Sequence, residues 1–298
     1  MPLFRRAVLA LALAALAAPA SAQERLPVVA SFSILGDMTA RIGGERIALT
    51  TLVGPDGDAH VFQPGPVDAR ALVDARMLVV NGLGFEGWID RLKEASGFHG
   101  VEVTTTAGIE PLTLAEDGEH GHGPFDPHAW QDVANAEIFV RNIVAGLERA
   151  DPDGAVTYRA NAEGYLAELR ALDEEIRSAI ARVPEAERVL VTSHDAFGYF
   201  AHAYGVTMLA PQGVSTESEA SAGEVARLIG QIRAERVQAV FVENISDPRL
   251  VDQIVRETGA RIGGTLYSDA LSPPGTPAAT YLGMMRHNAA QITAALQS

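Results

Sequence analysis

Four residues of this 298-residue chain combine a metal-ligating side chain with a loop position: His60, His128, His194 and Asp269. His60 closes the polar stretch Gly54-Pro55-Asp56-Gly57-Asp58-Ala59-His60, just past an apolar run ending at Val53. His128 stands in Phe125-Asp126-Pro127-His128-Ala129-Trp130, ahead of a helical pattern. His194 lies in Ser193-His194-Asp195-Ala196-Phe197, behind the run Val189-Leu190-Val191-Thr192, and Asp269 follows Gly264-Thr265-Leu266-Tyr267-Ser268. The chain has no cysteine, so a transition-metal site has to be built from imidazole and carboxylate. That donor set suits borderline ions such as Zn²⁺. Three neutral imidazoles and one carboxylate would close a tetrahedral shell and leave one positive charge on the ion. For each residue taken alone, the competing reading is a solvated loop side chain or a residue opening a helix.

The elements that must carry these residues alternate in type. Strands are expected at 28–32, 47–53 and 77–81, with helices at 35–42 and from Trp88 onward. A polar cluster over 115–127 interrupts the rhythm as a loop. A helical pattern then runs over about 154–182, between Pro152 and Pro184, with apolar positions at Tyr165, Leu166, Leu169, Leu172, Ile176 and Ile180. Such a helix is about 43 Å long at 1.5 Å per residue, more than one small lobe needs. Beyond it, strands are expected at 188–192, 206–209, 237–243 and 261–266, with helices at 196–204, 225–234 and 250–258. This alternation implies parallel βαβ units.

The expected fold is therefore α/β, with two βα lobes of parallel sheet joined by one long rigid helix. Residues 23–150 make the first lobe, 151–184 the linking helix and 185–298 the second lobe, with apolar residues enough for a core in each. Ligands of such sheets sit outside the carboxyl ends of the strands, in crevices between units. The metal site is thus expected at the lobe interface.

Compartment and partners follow from composition. Arg5 and Arg6 precede an apolar run over 7–18, Pro19 breaks it, and Ala20-Ser21-Ala22 offers a small-x-small cleavage site. The run is shorter than the roughly 20 residues that span a bilayer. Residues 1–22 are expected to be a cleaved signal peptide that leaves a soluble, unanchored chain starting at Gln23. A net charge of −15 repels phosphate backbones and anionic lipid, which argues against nucleic acid as a partner.

The chain resembles the zinc and manganese class of ABC-transporter periplasmic solute-binding proteins, and within it the AztC type of zinc-binding protein. The resemblance runs through essentially the whole mature chain. It rests on Asp126-Pro127-His128-Ala129-Trp130, on Ser193-His194-Asp195-Ala196-Phe197-Gly198-Tyr199-Phe200 and on Tyr267-Ser268-Asp269-Ala270-Leu271-Ser272. It implies that His60, His128, His194 and Asp269 fill the four ligand positions. It also implies that the protein captures Zn²⁺ in the periplasm and delivers it to the membrane permease of an ABC-type zinc importer. Such a shuttle is expected to be a monomer and not an enzyme, with a periplasmic zinc chaperone as a further candidate partner. Because the long helix resists hinge motion, the loops bearing His128 and Asp269 are the parts expected to move.

Two departures bear on the cargo. Many members of the class carry Asp-Pro-His at the first ligand, where this chain has Asp58-Ala59-His60. Manganese-selective relatives often carry Glu at the third, where this chain has His194, a softer donor that favours Zn²⁺. Mn²⁺ is the alternative cargo within the class. Outside it, the alternative is an exported zinc-dependent hydrolase, but there is no His-Glu-x-x-His, and catalytic zinc keeps one position open for water.

Zinc members of the class often carry a His- and acid-rich loop where this chain has Glu116-Asp117-Gly118-Glu119-His120-Gly121-His122-Gly123. His120 and His122 are thus candidates for auxiliary metal capture, against the alternative of a solvated loop. Asp58, Asp195 and Glu243 are expected to be helix caps or surface acids rather than partners orienting a ligand, and Trp130 and Phe197 to wall the site. Gly82-Leu83-Gly84-Phe85-Glu86-Gly87 formally matches a dinucleotide fingerprint. Glu86 would sit against the pyrophosphate, so the glycines are expected to serve a sharp turn beneath the cleft.

Overall fold

The computed structural model describes residues 24–114, 123–235, 237 and 239–297. The segment read as a signal peptide, and His120 and His122, lie outside the described residues. The first lobe winds through β1 (Leu26–Phe32), α1 (Ser33–Gly43), β2 (Ile47–Val53), α2 (Pro66–Asp74), β3 (Met77–Val80), α3 (Ile89–Ser96) and β4 (Val101–Thr104). Then come α4 (Val133–Ala150) and the long helix α5 (Ala155–Ile180). The second lobe repeats the winding with β5 (Val189–Val191), α6 (Gly198–Tyr204), β6 (Thr207–Leu209), α7 (Ala222–Glu235), β7 (Ala239–Glu243), α8 (Pro248–Thr258) and β8 (Arg261–Leu266). Helix α9 (Tyr281–Leu296) follows it. Both sheets are parallel, in the orders β2-β1-β3-β4 and β6-β5-β7-β8.

The inner strands are apolar on both faces, as parallel strands covered by helices must be. β3, Met-Leu-Val-Val, is buried at every position. The edge strand β4, Val-Glu-Val-Thr, buries only Val103, which is why no strand was expected there. Helix α2 was missed for the same reason, since Leu72 is its one buried residue. Helix α9 hid differently. Tyr281, Leu282, Met284, Met285, Ala289 and Ile292 are all buried, so apolar residues surround it and the 3.6-residue period blurs.

Helix α5 has 26 residues, or about 39 Å, against the 29 spanned by 154–182: it starts one residue later, after the 3₁₀ segment Pro152–Gly154, and ends two residues earlier, at Ile180. Tyr158, Ala162, Tyr165, Leu169, Leu172, Ile176 and Ile180 form its buried stripe. That stripe packs on α1 and α4 of the first lobe and on α6 and α9 of the second.

The expectation of a separate core in each lobe needs correction. One cluster runs from β1 and α1 through α4 and α5 to Leu190, Phe241, Leu266 and α9. Only the other face of the second sheet, with α7 and α8, holds a smaller cluster of its own around Val191, Leu228, Val240 and Ile254. Polar bonds follow the same path. The Tyr281 backbone N–H, at the start of α9, donates to Asp37 Oδ2 of α1 at 2.9 Å, a carboxylate well placed for a helix N-terminus. Among the described residues, no helix is long and apolar enough to cross a membrane.

Candidate metal centre

His60 follows β2, His128 follows β4, His194 follows β5 and Asp269 follows β8. All four lie beyond the carboxyl ends of parallel strands, two from each lobe. The backbone turn is the same at the first two. Asp58 Oδ1 accepts the His60 N–H at 2.9 Å, and Asp126 Oδ1 accepts the His128 N–H at 2.9 Å. Asp-x-His is thus a local turn motif, and alanine in place of proline between the two residues leaves it intact.

The four side chains converge, each offering one donor atom within 4.8 Å of every other. His60 Nε2 lies 3.3 Å from His128 Nε2 and 3.3 Å from Asp269 Oδ2. His194 Nε2 lies 3.2 Å from Asp269 Oδ2, and His128 Nε2 lies 3.6 Å from Asp269 Oδ1. A tetrahedron with donors about 2.0–2.2 Å from its centre has edges of about 3.3–3.6 Å. These four spacings are of the size that one small cation between the donors would require, with either Asp269 oxygen within its reach. His194 Nε2 and both Asp269 oxygens are buried and make no hydrogen bond among the described residues. Such atoms each cost about 1–3 kcal/mol when left unpaired, and here they face a common point.

Charge is arranged around that point. Burial works to raise the Asp269 carboxyl, but the His194 and His128 imidazoles outweigh it and hold it well below the usual range. Burial likewise works against a charged His194, yet the Glu243 and Asp269 carboxylates on either side keep it well above an ordinary imidazole. His60 is pulled down by burial, with Asp269 opposing.

Two ligand candidates have a second carboxylate behind the ring. Asp126 Oδ1 lies 2.8 Å from His128 Nδ1, a partner that the Asp-x-His spacing could have signalled. Glu243 Oε2 lies 2.5 Å from His194 Nδ1, with both side chains fully buried. Glu243 is therefore neither a cap nor a surface acid. It ends β7, which neighbours β5 in the sheet, a relation that no linear spacing reveals. Asp58 does act as a turn former, and its Oδ2 accepts the Thr216 hydroxyl of the other lobe at 2.6 Å. Asp195 is exposed.

The walls are Phe85, whose ring centroid lies 4.6 Å from that of His60, and Trp130, at 5.3 Å from that of His128. Phe197, in the same core cluster as Phe85 and Trp130, has no ring contact with a ligand candidate among the described residues. Phe85 is presented by the turn at Gly82, Leu83 and Gly84, all at positive φ (89°, 54° and 82°). Beneath it, buried Glu86 accepts hydrogen bonds from Ser31 Oγ at 2.6 Å and from the Asn81 N–H at 2.7 Å. An internal carboxylate occupies the place where a dinucleotide phosphate would have to sit.

The loops expected to move are tied together. Trp130 Nε1 and Gln131 Nε2 both donate to the Ser268 carbonyl, at 2.9 and 2.8 Å, and the Tyr281 hydroxyl donates to the Trp130 carbonyl at 2.6 Å. His128 and Asp269 thus sit on two segments joined as one body. Thr113 and Phe125 form an antiparallel bridge, and the Leu114 N–H donates to the Pro124 carbonyl at 2.9 Å. That stem leads directly into Asp126 and His128.

Residues 28–295 match the family model ZnuA, described as the periplasmic component A of a zinc-uptake complex. The manganese-binding lipoprotein MntA of Halalkalibacterium halodurans is 39% identical over 267 residues, covering 89% of this chain and 86% of that protein. The solved structure of the periplasmic zinc-binding protein TroA from Treponema pallidum superposes with a TM-score of 0.86 at 31% identity, covering 92% of this chain and 99% of that one. A manganese-bound periplasmic metal-binding protein from Candidatus Liberibacter asiaticus gives a TM-score of 0.81 at 30% identity, covering 92% and 100%.

Proposed function

The chain belongs to the ZnuA family of metal-binding ABC-transporter solute-binding proteins, and on that premise we propose that it captures one divalent first-row transition ion with His60, His128, His194 and Asp269. It then hands the ion to the permease of an ABC importer. The observation that carries this reading is the convergence of four buried donors within 4.8 Å of one another, with His194 Nε2 and both Asp269 oxygens making no hydrogen bond among the described residues. Four protein donors complete a shell, which leaves the hydrolase alternative without a position for water.

For the cargo, two of the three named relatives favour manganese, and TroA is called zinc-binding. MntA is called manganese-binding and the Liberibacter protein is manganese-bound, so Mn²⁺ replaces the zinc expected from His194 as the first reading. Zinc stays as a second reading on one specific observation: three imidazoles and a carboxylate are a donor set that in general holds Zn²⁺ more tightly than Mn²⁺. Affinity and cargo are different quantities, because metal supply in the compartment also decides occupancy. The test is metal analysis of protein recovered from its own compartment, beside Zn²⁺ and Mn²⁺ competition on the metal-free protein. Absence of any tight one-to-one binding would overturn the ligand set.

Export through residues 1–22 and auxiliary capture by His120 and His122 belong to the same reading. MntA is named a lipoprotein, whereas none of the 298 residues here is a cysteine that could take such a lipid.

A further inference from the structure

We infer that the cavity beside Asp58 and Ser193 is a second, outer cation site, an antechamber that takes the hydrated divalent ion on its way between solvent and the buried donors. The inference rests on the ligand reading above and names the route by which that site fills and empties.

The buried donors need such a route. His128, His194 and Asp269 have no exposure and His60 only 5%, so an ion reaches them through a wall. The Phe85 and Trp130 rings stand on one side, and the Trp130 and Gln131 bonds to the Ser268 carbonyl close another. Against a further side lies a cavity of about 470 Å³. Its lining includes Asp58, which holds the His60 N–H at 2.9 Å, and Ser193, the residue before His194. The cavity thus touches the neighbours of two proposed ligands, one from each lobe.

Room and charge suit a hydrated cation. About six waters of roughly 30 Å³ each fill less than half of the volume. Three carboxylates, of Asp58, Glu219 and Asp247, line it against one guanidinium, of Arg249. Asp247 engages Arg249 at 2.6 Å, which leaves Asp58 and Glu219 in excess. The lining also holds polar groups without partners. Ser193 is 3% exposed, and its Oγ makes no hydrogen bond among the described residues. The Ser246 Oγ in the same wall makes none either. Buried hydroxyls are ordinarily satisfied by protein or by ordered water, and the water shell of a cation supplies hydrogen-bond donors at this place. Between cavity and donors stands the Asp58 carboxylate, held to the second lobe by the Thr216 hydroxyl at 2.6 Å. Exchanging that hydroxyl for the ion's water shell frees the carboxylate to pass the ion inward to His60.

One test narrows the cavity. Gln253 lines it from an exposed position on α8, so Gln253→Trp fills the route without replacing a proposed ligand or a core residue. Association of Zn²⁺ and of Mn²⁺, and their chelator-chased dissociation, are followed by stopped flow. Both rates are expected to slow several-fold by one common factor, with the dissociation constant unchanged, because an obstructed route raises the barrier in both directions. Unchanged rates would overturn the inference, and so would a loss of affinity with association unaffected.

A second test removes charge and does not depend on how the tryptophan packs. Glu219→Gln is expected to lower the association rate about two- to fourfold at low salt, a difference that high salt erases. Glu187→Gln changes the net charge equally, from an exposed position ahead of the amino-terminal end of β5, and is expected to leave association as in the wild type. Equal slowing by the two variants, or none by Glu219→Gln, would overturn the cavity as the route. Failure of the wild type to bind either ion would refute the buried ligand set itself, an outcome distinct from every result on the cavity.

Discussion

The Asp58 carboxylate bridges the lobes: one oxygen fixes the backbone of His60, and the other accepts the Thr216 hydroxyl at 2.6 Å. Opening the cleft at His60 has to break this bond. Thr216→Val removes it without touching a proposed ligand. A net hydrogen bond of about 0.5–1.5 kcal/mol translates into metal dissociation about two- to tenfold faster, measured by chelator chase in a stopped-flow instrument. An unchanged rate would place the opening motion elsewhere.

Protons should leave as metal enters. His194, held well above its ordinary value of 6.5 by Glu243 and Asp269 against the effect of burial, is charged in the metal-free protein at pH 7 and must be neutral to ligate. Binding at pH 7 is expected to release about one proton, with affinity falling as pH falls. Calorimetry in two buffers of different ionisation enthalpy counts that proton, and a count of zero would contradict the arrangement.

The same groups set the stability of the metal-free protein. His194 is raised, so its contribution is complete below pH 6.5 and is lost as pH rises through the folded value. Asp269 is depressed, so its contribution is present above 3.8 and is lost only as pH falls through a value well below that. Metal-free protein should therefore melt lower at about pH 9 than at about pH 6, while bound metal should flatten the difference. Thermal melts with and without chelator test this.

The continuous core predicts cooperative unfolding across the lobes. Leu169, fully buried in α5, touches the cluster that both lobes share. Leu169→Ala should cost about 2–5 kcal/mol. It should shift Trp fluorescence and far-ultraviolet circular dichroism together, although Trp88 and Trp130 both lie before α5. Separate transitions for the two probes would mean that the lobes unfold independently.

His120 and His122, if they collect metal, act before the buried site does. Replacing both with alanine should slow Zn²⁺ or Mn²⁺ uptake at sub-micromolar metal and remove weak accessory binding, while leaving the tight dissociation constant unchanged. A weakened tight site would put them within the shell instead.

Much of this architecture was legible in the chain, because parallel strands buried on both faces announce themselves as apolar runs. Ile47–Val53 and Arg261–Leu266 are strands with the expected bounds. Three of the four candidate ligands, His60, His194 and Asp269, each follow such a run, whereas His128 follows a polar stretch and stood out by its Asp-Pro-His-Ala-Trp motif. What sequence could not display was pairing across the fold. Glu243 meets His194 because β7 lies beside β5, and Phe85 rather than Phe197 walls His60 because of a positive-φ turn. Asp126 was the one orienting partner within local reach, two residues from His128.

The bond from the Tyr281 N–H to Asp37 joins positions 244 residues apart, and α9 packs on both α1 and α5. The faces of α1 and α5 that α9 covers thus stay open until Tyr281–Leu296 is available. Contacts of such long sequence separation form late, because their loop-closure entropy must be met first. A partly emerged chain holds His60 and His128 in place of a complete shell, with Asp269 still to come. Tight metal capture is in this sense a checkpoint on folding: the ion can be held only by a molecule in which the segment bearing Asp269 has already met those bearing His60 and His128.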